Sequence, residues 1–359
     1  MNLKNIFNKN NSINISSTNL LTTDNIDFDT SLYCLEYFLS LEESSFNINK
    51  EHLQSTHIAI KDNNMEILQE SFSDFIHSVI SFFKNLLDKF KEFMKRIFMI
   101  IYAYLGDFEK FLDKYKEHLR GLDPKFTIKG FKYTFKSNIP NLDIIDNIIN
   151  SYNSELNDID NMTKDKIIEE REKFMATSNL NKIRANIIGI SGEVDSDEYL
   201  KDVKKIFRDN NDEKIDIDVN KSFLTTVIAD YPFLKKQYSD SIKERDNIIT
   251  VIEKIKSFFE KSASIYYKGK DKTIGAKLLN RNGNKAQVGD NVEKSYSESK
   301  INLFNTFFSF KFIQSKEVGS MCTMASIEKV NALKECLSFY RDIIKKCAFK
   351  GSNKSTNND

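Results

Sequence analysis

From Ser71 to Arg120 the chain carries no proline and a single glycine, Gly106, while Phe, Ile and Leu recur three and four positions apart between lysines. That stretch, SFSDFIHSVISFFKNLLDKFKEFMKRIFMIIYAYLGDFEKFLDKYKEHLR, has the period of an amphipathic helix, with an apolar stripe of Phe72, Phe75, Ile76, Val79, Phe82, Phe83, Leu86, Phe90, Phe93 and Ile97. A break or bend is expected at Gly106, where the helix loses its side chain. Only 11 glycines and 3 prolines occur in 359 residues, and none of the glycines precedes Gly106. So few turn formers argue against a sandwich, barrel or Rossmann sheet, which need frequent tight turns. The fold class that follows is mostly α, built from long amphipathic helices.

The remaining pattern adds detail. Residues 1–65 read as a polar arm with one short helix at Ser31–Leu41, followed by a polar connector from about Glu42 to Asn64. Lys125–Phe135 (KFTIKGFKYTF) alternates apolar and polar residues on either side of Gly130, a small β element read as a hairpin or strand pair. Helical spacing returns from Asn141 to Met175. Residues 176–268 are mixed: Ser196–Glu198 has the character of a helix cap, Lys214–Val219 alternates like a short edge strand, and a helix from about Asn220 is interrupted at Pro232. A long helix then runs to Tyr267, with a C-cap at Lys268-Gly269. Residues 269–299, rich in Gly, Asn and Lys, form a linker to a last helix over 300–348, and 350–359 read as a disordered tail. Two long helices joined by such a linker are expected to fold back as a C-terminal antiparallel hairpin.

Composition narrows the function classes. With 53 basic and 52 acidic residues the net charge is +1, which gives no general drive toward nucleic acid, membrane or acidic substrates. No signal peptide is evident at the N-terminus. The longest apolar run, Ile97–Leu105, is under half of the roughly 20 residues that span a bilayer. Cys34, Cys322, Cys336 and Cys347 form no CxxC motif and read as reduced core residues. His52 and His57 are not spaced as ligands on one helical turn, and HExxH, P-loop, GxGxxG and GxSxG patterns are missing. Nothing calls for a cofactor, a metal ion, a small-molecule substrate or a catalytic residue.

Two basic clusters stand out against this balance. Lys84, Lys89, Lys91, Lys95 and Arg96 give residues 81–96 a local excess of +3, and Arg341, Lys345, Lys346, Lys350 and Lys354 give residues 341–354 an excess of +4. A third, smaller group is Lys201, Lys204 and Lys205. Solvated helix faces explain all three, with DNA contact by counterion release or contact with lipid headgroups as the functional readings. The Phe stripe itself reads first as intramolecular core, then as a self-association face, then as a membrane-contacting surface.

Three blocks, in order, carry a resemblance: FFKNLLDKFKEFMKRIF followed by KFTIKGFKYTF; KIRANIIGISGEVDSDEYLKDVKKIFRDNN followed by KIDIDVNKSF; and IEKVNALKECLSFYRDIIKKC. Across roughly residues 66–348 the chain resembles virion structural proteins, among them internal head proteins, of large contractile-tailed bacteriophages. The resemblance implies a non-enzymatic component of the particle, made in the host cytoplasm and carried in the head or in a prohead core, with other virion proteins and packaged DNA as partners. It also implies trimming after a glutamate preceded two positions earlier by Leu or Ile, a pattern met at Glu43 and Glu70 and, equally, at Glu169 and Glu170. The rival expectation is a membrane-active amphipathic helical protein, either toxin-like or a host-membrane effector.

Overall fold

The computed structural model describes residues 40–52, 54–55, 65–136, 139–189, 199–208, 213–267 and 298–352. Nine helices and two strands follow one another in these segments. They are α1 (40–52), α2 (Met65–Gly121), β1 (Phe126–Gly130), α3 (Leu142–Asn157), α4 (Lys164–Met175), α5 (Thr177–Ile187), α6 (Tyr199–Phe207), β2 (Ile215–Val219), α7 (Lys221–Ala229), α8 (Tyr231–Tyr267) and α9 (Glu298–Ser352). A single 3₁₀ turn, Ile159–Asn161, sits between α3 and α4.

The three long helices form the spine. At the usual helical rise, α2 with 57 residues and α9 with 55 are each about 85 Å long. Ring contacts establish their directions. Phe72 meets Phe308, Phe82 meets Phe312, and Tyr104 lies under Arg341, so α2 and α9 run parallel. Phe83 stacks with Phe259, Phe98 meets Tyr238 and Phe108 meets Tyr231, so α8 runs against α2. Phe259 also meets Phe308 while Asp230 meets Tyr340, so α8 and α9 form the expected antiparallel hairpin.

The Phe stripe of α2 is core: Phe72, Phe83, Phe90 and Phe93 are fully buried. Each such ring contributes about 1.5–3 kcal/mol by leaving water. The helix continues through Gly106 without the expected break. A glycine costs a helix interior about 1 kcal/mol, which the burial of Leu105 and Phe108 on either side outweighs.

The connector expected from Glu42 onward is also corrected, because residues 40–52 are helical. Leu41, Ser45 and His52 are buried, with Ile48 packed beside them, a stripe at helical spacing that the polar residues between them conceal. Residues 31–39 of the expected short helix, the cap at 196–198, the cap at 268–269 and the linker up to 297 lie outside the described residues.

The β element is corrected as well. Lys125–Phe135 contributes one strand, and its partner is β2: Phe126 pairs with Val219, Ile128 with Ile217 and Gly130 with Ile215, antiparallel. Ile217 and Val219 turn inward, while Thr127 donates to the Asp218 carboxylate (2.9 Å) on the outer face. Beyond the strands, Tyr133 bridges to Arg208. The interruption near Pro232 falls two residues earlier: α7 ends at Ala229 and α8 begins at Tyr231, which places Pro232 in a first turn, where a missing N–H costs nothing. Side-chain caps start three of the shorter helices. Asn141 Oδ1 accepts from Ile144 N–H, Thr163 Oγ1 from Lys166 N–H and Asn220 Oδ1 from Phe223 N–H.

Candidate functional site

Helix α9 differs from α2 in having no outer face along its middle. Every residue from Glu317 to Leu333 is buried, because α2, α8 and the layer of shorter helices surround it. Small residues (Gly319, Ser320, Cys322, Ala325, Ser326 and Ala332) let the neighbours approach closely; a Cβ on Gly319 would already touch Phe83 and Leu86 at 3.7 Å. Several charged side chains share this burial: Lys311, Glu317, Glu328 and Lys329. A buried charge without a partner costs several kcal/mol, so its partners determine what the region can do.

Each of the pairs resolved around α9 reaches a different element. Lys311 pairs with Glu155 of α3, donates to Gln314 (2.8 Å) and lies 4.9 Å from the ring centres of both Tyr152 and Phe310. Arg184 of α5 donates through Nε and Nη2 to Glu317 Oε2, both at 3.0 Å. Lys316 joins Glu317 (3.5 Å) to Glu42 of α1 (2.7 Å). Lys329 donates to Glu244 of α8 at 2.6 Å. Arg208, just after α6, pairs with Glu335, which also accepts from Tyr133 at 3.4 Å. Tyr340 donates to Asp230, between α7 and α8, at 2.9 Å.

The electrostatics follow from this burial. Desolvation raises the Glu244 carboxyl above the ordinary range, and Lys329 partly pulls it back. Desolvation lowers the Lys311 ammonium, opposed by Glu155. The Tyr340 phenol is held well above its usual value, chiefly by burial and then by the neighbouring Cys336 and Asp230. The Cys322 thiol, also buried, is pushed up to about 12, so it is not a thiolate near neutral pH. Lys311, Glu317, Lys329 and Glu335 are each matched across a helix boundary. The chemical consequence is registry: sliding α9 by one turn would strip partners from every layer at once.

The basic residues that the sequence singles out are not drawn into this lattice. Lys84, Lys89, Lys91, Lys95 and Arg96 all lie exposed on the face of α2 opposite its phenylalanines. Lys89 donates to Ser40 (2.7 Å), Lys91 lies 3.6 Å from Glu253 and Arg96 pairs with Glu92. In the second cluster Arg341 turns onto the Tyr104 ring at 4.3 Å, Lys345 is half-buried and Lys346 is exposed; the side chain of Lys350 lies outside the described residues. Lys205 pairs with Asp202 at 2.9 Å. Glu43 and Glu70 are exposed, and each sits within a helix, so a protease would have to unwind α1 or α2 to reach the bond.

His52 stacks on Phe75 at 4.1 Å, His77 is half-buried and His118 is exposed in the last turn of α2. Among the described residues no three His, Cys, Asp or Glu side chains converge as a metal site. Cys322, Cys336 and Cys347 are buried free thiols. An open trough of about 430 Å³ lies between α3 and α8, its floor formed by Ile149 and Phe258 and its walls by Asn150, Asn153, Thr250 and Ser257. Two of its charged lining residues are engaged with neighbours, Lys254 with Asp146 at 2.7 Å and Glu253 with Lys91 at 3.6 Å.

Sequence reasoning missed Lys311, Glu317, Lys329 and Glu335 because single charges in a helix ordinarily mark a solvated face. A signal was present: in EVGSMCTMASIEKVNALKE the apolar residues do not segregate to one side, the mark of a helix buried all round. Comparison of the chain with family models, with curated proteins and with solved structures finds no match.

Proposed function

We propose that this chain is a non-enzymatic structural component of a bacteriophage virion, internal to the head or part of the prohead core. The observation that supports a mechanical role is the registry of α9, whose ion pairs to α1, α3, α5, α8 and Arg208 tie every layer to one central helix. Buried charges used in this way favour one helix alignment over its neighbours more than they add net stability. The resemblance of the three sequence blocks supplies the virion context. Its partners in this reading are other virion proteins, with packaged DNA touching the exposed lysines of α2. The test is mass spectrometry of particles purified by density gradient from a phage encoding this chain. Stoichiometric recovery with the capsid proteins is expected, and exclusion from intact particles would refute the reading.

The membrane-active alternative requires the α2 phenylalanines to face lipid. They are packed against Phe259, Phe308 and Phe312, so insertion requires α2 to part from α8 and α9. Among the described residues no helix is long and apolar enough to cross a membrane.

A further inference from the structure

On the outer face of α2, Met99 is 57% and Tyr102 is 70% exposed, and with Gly106 they make a short apolar stripe one and two turns apart. Gly106 has no internal use: a Cβ there would meet nothing within 4 Å, and the residue sits in the middle of a long helix, where glycine is disfavoured. A flat spot beside an exposed tyrosine is what close approach of another helix needs. The charges on either side of the stripe identify that helix. Toward the N-terminus stand Glu92, Lys95 and Arg96; toward the C-terminus stand Asp107, Glu109 and Lys110.

We propose that this stripe is a self-association surface, on which a second copy of the chain packs its own α2 antiparallel, with the two Tyr102 residues meeting near the two-fold axis. In that arrangement Lys95 faces Glu109 of the second copy, a carboxylate that also holds its own Lys235 at 3.1 Å, while the Arg96–Glu92 pair of one copy faces Asp107 and Lys110 of the other, so opposite charges meet on both sides of the stripe. A parallel in-register pair would instead set Lys95, which lies near the centre of this face, against its own copy. Gly106 then lies against the aliphatic stem of Arg96 from the second copy. The inference rests on the exposed face of α2 and is independent of the virion reading.

Sedimentation equilibrium of the full chain tests it. The wild type is expected to dimerise, and Tyr102→Glu to be monomeric with an unchanged helical circular dichroism spectrum. Gly106→Gln should raise the melting temperature of the dilute protein, because it removes a helix-interior glycine, while weakening dimerisation. Glu92→Lys should weaken the dimer about tenfold, and the double variant Glu92→Lys/Lys110→Glu should restore it. A wild type that stays monomeric, or a dimer indifferent to Tyr102→Glu and Gly106→Gln, overturns the surface. Failure of the double variant to restore association overturns the antiparallel orientation.

Discussion

The ring of Phe339 on α9 occupies the space into which a side chain at Gly130 would grow: a Cβ on that glycine would lie 2.6 Å from Cε2 and Cζ of the ring. Gly130 is therefore needed for close approach between the sheet and α9. It stands in β1 paired with Ile215, not at a turn between two local strands.

Replacing Gly130 by alanine should accordingly destabilise the protein by about 1–3 kcal/mol, since Phe339 must leave its position. Combining Gly130→Ala with Phe339→Leu should recover part of the loss. Urea unfolding of the three variants measures this, and an alanine tolerated without cost would show that the ring is free to move.

The Lys329–Glu244 pair should behave as buried ion pairs do when one partner is removed. Lys329→Met leaves Glu244 charged and uncompensated, at an expected cost of about 3–5 kcal/mol, whereas Lys329→Met/Glu244→Leu should fall much closer to wild type. Glu244 has a raised pKa, so Lys329→Met should be least harmful in acid, where the carboxyl is protonated. A double-mutant cycle by denaturant titration at two pH values reads both effects.

Phe312 is fully buried and meets Phe75, Phe82 and Phe83 edge-on at 5.4–6.1 Å. Its truncation to alanine opens a cavity where α2 and α9 cross and should cost about 3–5 kcal/mol. Lys84→Ala, one residue from Phe83 on the solvent side, should stay within about 0.5 kcal/mol. Thermal melts of the pair test whether the α2 stripe is core.

His52 gives the fold a pH dependence of defined sign. Burial against Phe75 lowers its pKa from 6.5 to about 4, opposed by a hydrogen bond with the Ser71 backbone. A depressed folded-state pKa stabilises above the unfolded value and loses that contribution as pH falls from 6.5 through 4, here about 3 kcal/mol in all. His52→Phe should remove this share of the acid sensitivity. The comparison is the difference in unfolding free energy between wild type and variant at pH 7 and pH 4; parallel pH profiles would contradict it.

Elements with a strong local period were legible from residues alone. The Phe stripe of α2 and the alternation in FTIKG and IDIDV each follow from side chains repeating at 3.6 or 2 positions, a property of short segments. The α8–α9 hairpin followed from two helical patterns separated by a Gly/Asn-rich linker. Partner choice did not follow. That β1 takes β2 rather than the residues just beyond it, and that α2 lies parallel to α9, depends on contacts between segments far apart in the chain, to which no local pattern responds. The burial of Lys329 and Glu244 was equally hidden, since a charge is stable in water whatever its neighbours in sequence and enters a core only when a partner from another helix meets it there. Local propensity located the elements; long-range packing assigned α9 the centre and matched its charges.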